Sequence, residues 1–224
     1  MDKSLSKSER TRKFIIEITA PIFNIKGYEG TSMSDLTTAT GLTKGSIYGN
    51  FENKEEVALA AFDHNHSIIK KIIVDKVNQA KTYHDKLMVY ATVYHNFTRS
   101  RGLVKGGCPI LNTAIEADDT NPLLCDKAAN ALINWKKSII NLIKAGVAAG
   151  EFRSGIKQEQ TALSIIALIE GGVMIAKVTN TPSHLDAVLK TVAMLVDQLK
   201  ADSIGGMAVD YRNLAWPWLK GFKD

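Results

Sequence analysis

The sequence predicts an all-α protein in two parts, a short three-helix unit at the N-terminus and a larger helical bundle behind it. Three observations carry this. Apolar residues recur three and four apart along the 224-residue chain, with no alternating strand-like run beyond about residue 81 and no internal repeat. A Ser or Asn followed three positions later by an acidic residue marks helix starts at Ser6/Glu9, Ser32/Asp35 and Asn53/Glu56. Gly27 and Gly41 stand where helices should end, and Pro109, Pro122 and Pro182 stand where first turns tolerate proline.

Composition sets the outer limits. With 45% hydrophobic and 23% charged residues the chain has enough apolar material for a substantial core, which excludes wholesale disorder. The formal net charge of +5 favours a polyanionic partner. Two cysteines, Cys108 and Cys125, are too few for a disulfide framework and lack metal-ligand spacing. The charged N-terminus is not a signal peptide, and the most apolar stretch, 162–176, falls short of the roughly 20 residues of a membrane span and contains Glu170. A cytoplasmic protein with no membrane partner is expected.

Residues 1–13 carry Lys3, Lys7, Arg10, Arg12 and Lys13 against Asp2 and Glu9, and 1–7 read either as a basic arm reaching phosphate or minor groove or as a solvated tail. The first helix should start near Ser6 and end before Gly27, kinked at Pro21, with Phe14, Ile15, Ile18, Ile22 and Ile25 as its apolar face. The second should start at Ser32 with Met33 and Leu36 inward and stop at Gly41. Thr43 is the natural N-cap of the third, whose Ile47 and Phe51 point the same way and leave Lys44, Ser46, Tyr48 and Asn50 outside. So short a helix is unstable alone and must be held by neighbours. Its exposed cationic and hydroxyl-bearing surface has the size of a major-groove reader, the helix-turn-helix pattern.

From about Arg10 to Phe62 the sequence resembles the DNA-binding domain of the TetR (tetracycline repressor-like) family. The matching residues are Phe23, Gly27-Tyr28, Thr31-Ser32, the run Gly41-Leu42-Thr43-Lys44-Gly45-Ser46-Ile47-Tyr48, then Phe51 and Lys54. Asn50 departs from the His or Tyr usual before that Phe, and Pro21 inside the first helix is a second departure. Geometry and resemblance together imply contacts to double-stranded operator DNA. Lys44, Ser46 and Thr43 would reach base edges or phosphate, Gly45 would allow close backbone approach, and Tyr48, Asn50, Lys54 and the helix start at Thr31 and Ser32 would hold phosphates.

The helix starting at Asn53 carries Val57, Ala61, Ile68, Ile69 and Ile72 and links this unit to the rest; His64 and His66 on it face different ways and form no metal pair. Further helices are expected at 84 to about 100, 109–117, 122 to about 149, 157–178 and 183 to about 201, with Gly102, Gly106 and Gly107 in the first loop. The stripe Ala128, Ala131, Leu132, Trp135, Ile139, Leu142, Ile143 and Val147 has nearly heptad spacing. Segment 162–176 is apolar nearly all round, and Leu185, Val188, Leu189, Val192, Leu195, Val196 and Leu199 face it from the next helix. Helices 157–178 and 183–201 from two copies would make a four-helix homodimer interface, with Gly171 and Gly172 permitting close approach. The resembling family dimerises there too. The run Gly107-Cys108-Pro109, with Glu116, Trp135 and Glu170-Gly171, resembles the regulatory domain of one TetR subgroup.

A small-molecule effector site would draw on Tyr90, Tyr94, His95, Phe97, Asn112, Glu116, Trp135, Glu170 and Met174, of which Glu170 inside an apolar helix most needs a partner. Cys108 reads as an ordinary buried thiol. Trp216, Trp218 and Phe222 should dock the tail on the bundle or on the second subunit. No phosphate-binding loop, dinucleotide fingerprint, nucleophile elbow or zinc pattern is present, so no enzyme, cofactor or metal is expected. The domains are accordingly 1–53 for DNA, 54–201 for effector and dimer, and 202–224 as a docking tail. The reading is a ligand-responsive repressor; the alternative is a helical carrier or interaction protein that does not act on DNA.

Overall fold

The computed structural model describes residues 6–96 and 104–201. Nine helices occupy the described residues: α1 (Lys7–Lys26), α2 (Met33–Thr40), α3 (Lys44–Tyr48), α4 (Lys54–Gln79), α5 (Tyr83–Tyr94), α6 (Pro109–Ala117), α7 (Pro122–Ala148), α8 (Gln158–Val178) and α9 (Pro182–Asp197). Among those residues the only β pairing is an isolated Phe152/Lys200 bridge. The expectations for arm residues 1–5, for Phe97, for Gly102 and for the 202–224 tail lie outside the described residues. The chain forms two compact units, one from residues 1–72 and 99–135, the other from 73–98 and 136–224.

In the first unit the helix boundaries follow local chemistry. The Ser6 hydroxyl accepts the Glu9 N–H while the Glu9 carboxylate accepts the Ser6 N–H, and Ser32 and Asp35 repeat the exchange at α2. Gly41 ends α2 at φ 68°, a left-handed conformation that suits glycine. Leu36, Ile47 and Phe51 are buried together with Ile15, Ala20, Phe23, Val57, Ala58, Ala61, Ala117 and Leu124. One expectation fails here. Of the five residues expected to form the inner face of α1, only Ile15 is buried, and Phe14, Ile18 and Ile25 are 42%, 37% and 60% exposed. The inward positions are Ile15, Thr19, Ala20, Phe23 and Asn24. Thr19 and Asn24 tolerate burial because each is bonded to backbone, Thr19 to the Ile15 carbonyl and Asn24 to those of Lys105 and Gly107. Small or satisfied polar side chains thus replace the larger aliphatics at the interface.

In the second unit α5, α8 and α9 pack against one another. Leu87, Tyr94, Ile139, Ile143, Ile165, Ile169, Leu185 and Leu189 are buried almost completely. The Glu151 carboxylate accepts the first N–H groups of α5, from Tyr83 at 2.8 Å and His84 at 2.6 Å. His84 and Asp197 at 2.9 Å, and His95 and Asp186 at 2.8 Å, tie α5 to α9 at two levels. Helix α8 runs 21 residues, close to the expected 157–178, and by length and composition alone it could cross a membrane, a test that buried core helices also pass. One side of it is buried in the protein, including Glu170 and the Gly172 backbone. A Cβ on Gly172 would lie 2.9 Å from Leu185 and 3.2 Å from Val188, so its close approach is to α9 of the same chain. Gly171 has open space above it.

Candidate nucleic-acid interface

The five residues of α3 hang on one anchor. Ile47 is fully buried, with Phe51 just beyond it at 2% exposure, while Thr43, Lys44, Gly45 and Tyr48 are exposed and Ser46 half-buried. The Thr43 hydroxyl caps the helix by accepting the Ser46 N–H at 3.1 Å. The Lys44 ammonium lies 5.6 Å from the centre of the Tyr48 ring, so a cation and an aromatic hydroxyl stand side by side.

The C-terminal side of α3 is held by a residue that the periodicity of the sequence did not single out. The Arg12 guanidinium donates to the Asn50 carbonyl and to the Glu56 carboxylate, the latter at 2.6 Å, and lies 4.0 Å over the Phe51 ring. The backbone N–H of Glu52, and then Arg12, hold the Glu56 carboxyl below the usual carboxylate range. One side chain of α1 therefore grips both the end of α3 and the start of α4. No local signal joins residues 44 positions apart, so only the fold reveals it.

The α1–α2 turn is built in the same way. Thr31 is fully buried, its hydroxyl donating to the Gly27 carbonyl at 2.6 Å. Lys54 donates to the carbonyls of Tyr28 and Thr31 and covers the Tyr28 ring at 4.0 Å. Lys26 bonds Asp35 at 2.7 Å; with the Ser32 N–H and hydroxyl it draws the Asp35 carboxyl down to about 2. The Asn50 amide donates to the Ser46 carbonyl and accepts from the Ser8 hydroxyl. Of the expected DNA residues, then, Ser32, Thr43, Lys44, Gly45, Ser46 and Tyr48 meet at the surface. The side chains of Thr31, Asn50 and Lys54 are engaged inside the domain.

The expected effector residues divide. Tyr90, Tyr94, His95, Glu170 and Met174 belong to the second unit, where burial pushes the Tyr90 phenol up to about 12 and Glu170 is only 8% exposed. Met174 is 50% exposed and lines no interior there. Trp135 is buried. Asn112 and Glu116 belong to the first unit. The Asn112 amide donates to the carbonyls of Asn24 and Gly106, and the Glu116 carboxylate accepts the N–H groups of Tyr28 and Glu29, each at 2.9 Å. A cleft beside them is lined by Phe23, Asn24, Tyr28, Phe62, Asn65 and Glu116 among others. Cys108 is buried at the start of α6, and both cysteines are free.

Comparison with known proteins fits this geometry. Residues 15–61 match the family described as bacterial regulatory proteins, tetR family, and residues 84–192 match the tetracyclin repressor-like C-terminal domain. The chain is similar to the crystal structure of a TetR-family transcriptional regulator from Cytophaga hutchinsonii, with 48% identity and a TM-score of 0.85 over 90% of this chain and all of that one. A TetR regulator from Chloroflexus aurantiacus J-10-FL is 37% identical with a TM-score of 0.83, covering 88% of this chain and 98% of that one. The transcriptional repressor DhaR of Mycobacterium sp. (strain GP1) is 22% identical over 81% of this chain and 89% of its own length. With family matches over residues 15–61 and 84–192 and a 48% identical relative spanned in full, the chain belongs to the TetR family of transcriptional regulators.

Proposed function

We propose that this DNA-binding regulator reads its operator through the exposed ridge of α3, as a homodimer that a small molecule releases from DNA. The observation that carries the reading is the ridge itself. Lys44, Gly45 and Tyr48 stand in solvent and Ser46 is half-buried around an Ile47 with no exposure, and this cationic, hydroxyl-bearing outer face is suited to phosphate and base edges. Lys44, Ser46 and Thr43 would meet base edges or phosphate, and Tyr48 and Ser32 would meet phosphate oxygens. Thr31, Asn50 and Lys54 enter as supports that hold the contacting residues, rather than as contacts.

The dimer would form on the outer faces of α8 and α9. Leu163, Met174, Ile175 and Val178 on α8 and Met194 on α9 are 37–81% exposed, an apolar surface that a second copy would cover, with Gly171 at its middle. TetR regulators bind operators as dimers, so two ridges would meet half-sites about 34 Å or a multiple apart. Tyr90, Tyr94 and Glu170, polar groups buried in the second unit, are the proposed readers of the effector. The protein would work in the cytoplasm, without catalysis, as domains of 1–53 for DNA and 54–201 for effector and dimer.

The test is selection of a duplex from a randomised pool by the full chain, followed by titration of that duplex across salt. The expected outcome is sequence-selective binding whose affinity falls steeply with salt, and which Lys44→Ala and Tyr48→Ala each weaken while leaving the far-UV spectrum intact. Failure to enrich any duplex would favour a helical carrier that keeps the fold without acting on DNA.

A further inference from the structure

Glu116 lies in the part of the chain matched by the family's C-terminal domain, yet its carboxylate is bonded to the DNA-binding domain. Both oxygens are used there, Oε2 by the Tyr28 N–H and Oε1 by the Glu29 N–H, each at 2.9 Å. The fit is close. Gly27 has φ 75°, and a Cβ at that position would fall 2.3 Å from Oε2, so only the missing side chain lets the carboxylate reach the amides. Asn112, one turn earlier on α6, donates to the Asn24 carbonyl on α1 at 3.0 Å.

The gripped turn leads straight into the proposed contacts. Lys54 donates to the Tyr28 and Thr31 carbonyls, and Ser32, next in sequence, caps α2. A carboxylate accepting two successive backbone N–H groups fixes a turn tightly, because both bonds are charge-assisted and share one rigid plane.

We infer that Glu116 is a positioning residue for operator binding: its carboxylate clasps the Tyr28 and Glu29 amides and so ties the setting of the α1–α2 turn, and of Ser32 beyond it, to the position of α6. The inference rests on the proposed DNA-binding role and names the point at which a displacement of α6 would be felt. Any movement of α6 that withdraws the carboxylate leaves two turn amides without their acceptors and loosens Ser32, the proposed phosphate contact that caps α2.

Glu116→Gln separates this role from simple packing. Glutamine keeps the shape but sets an amide N–H donor against one of the two backbone donors, so it can satisfy only one of them. The full-length Glu116→Gln variant, with Glu116→Ala beside it, is compared with wild type in amide hydrogen exchange at Tyr28 and Glu29, in exchange at the α4 core residues Val57 and Ala61, and in affinity for the duplex that wild type selects from a randomised pool. Expected for Gln is exchange at the two turn amides faster by about tenfold, unchanged protection at Val57 and Ala61, and operator affinity lower by about tenfold, the scale of one lost charge-assisted hydrogen bond. Glu116→Ala should match or exceed those losses; if it fails to fold, the Gln variant alone decides. A Gln variant with wild-type exchange at Tyr28 and Glu29, or with faster exchange but wild-type operator affinity, overturns the inference. Should wild type select no duplex, the DNA-binding proposal falls with this role in it, while the exchange data still say whether the clasp exists.

Discussion

Arg12 holds three neighbours at once, the Asn50 carbonyl, the Glu56 carboxylate and the Phe51 ring, and a planar guanidinium is the only side chain able to do so. Lysine could reach one of these partners and would lose the fork. Both Arg12→Ala and Arg12→Lys should therefore lower operator affinity by about tenfold while costing on the order of 1 kcal/mol of stability, since the ion pair is partly exposed. Operator titration beside urea unfolding checks this, and a Lys variant indistinguishable from wild type would show that charge alone suffices. Asp35 makes a prediction about pH. Lys26 and the Ser32 groups depress its carboxyl to about 2, so the stability it supplies is complete above its ordinary value near 3.8 and disappears as pH falls towards 2. Wild type should exceed Asp35→Asn in thermal midpoint at neutral pH by a constant margin that closes only below about pH 4. At this scale the sequence revealed residues whose partners are near in the chain. Ser32 and Asp35 were legible as a cap, whereas the pairing of Arg12 with Glu56 and of Glu116 with Tyr28 depends on chain segments that only the tertiary fold brings together.

The five-residue α3 shows why some elements were legible and some faces were not. Thr43, Ile47 and Phe51 announce the helix through spacing and capping, and the structure keeps them in those roles. The face of α1 was misjudged because its aliphatic residues outnumber the positions that pack, leaving Phe14, Ile18 and Ile25 exposed while Thr19 and Asn24 turn inward with bonded side chains. Periodicity counts apolar residues and cannot see that a buried polar group has found a carbonyl. The same limit applies to Asn112 and Glu116, whose polarity was legible in the sequence while their bonds to the backbone of Asn24, Gly106, Tyr28 and Glu29 were not. For α3 the consequence is testable. Ile47→Ala should cost about 2–5 kcal/mol, as for other fully buried aliphatics, because no neighbouring turn of the same helix shares the load. Urea unfolding of the variant beside Lys44→Ala should show the first strongly destabilised and the second close to wild type, although both weaken DNA binding.

For the whole molecule, the apolar surface left by α8 and α9 decides between a working regulator and a solitary subunit. Met174 and Ile175 are 50% and 41% exposed in the chain, so replacing both by glutamate places charge in water and should leave the fold of one subunit intact. In a dimer the same two side chains would lie at an apolar contact, where two charges facing two symmetry-related charges are each stripped of solvent without a counter-ion. The double variant Met174→Glu, Ile175→Glu should therefore sediment as a monomer with a wild-type helical spectrum. Its operator affinity should fall by a factor of about a hundred or more, because each ridge would then bind its half-site alone and lose the high effective concentration that the partner provides. The salt slope should shrink with the number of phosphates contacted. These two readouts are independent of the α3 substitutions, which weaken DNA binding without altering mass in solution. A double variant that stays dimeric would place the second copy on another face of the protein, and one that is monomeric yet binds the duplex as tightly as wild type would separate dimerisation from operator recognition altogether.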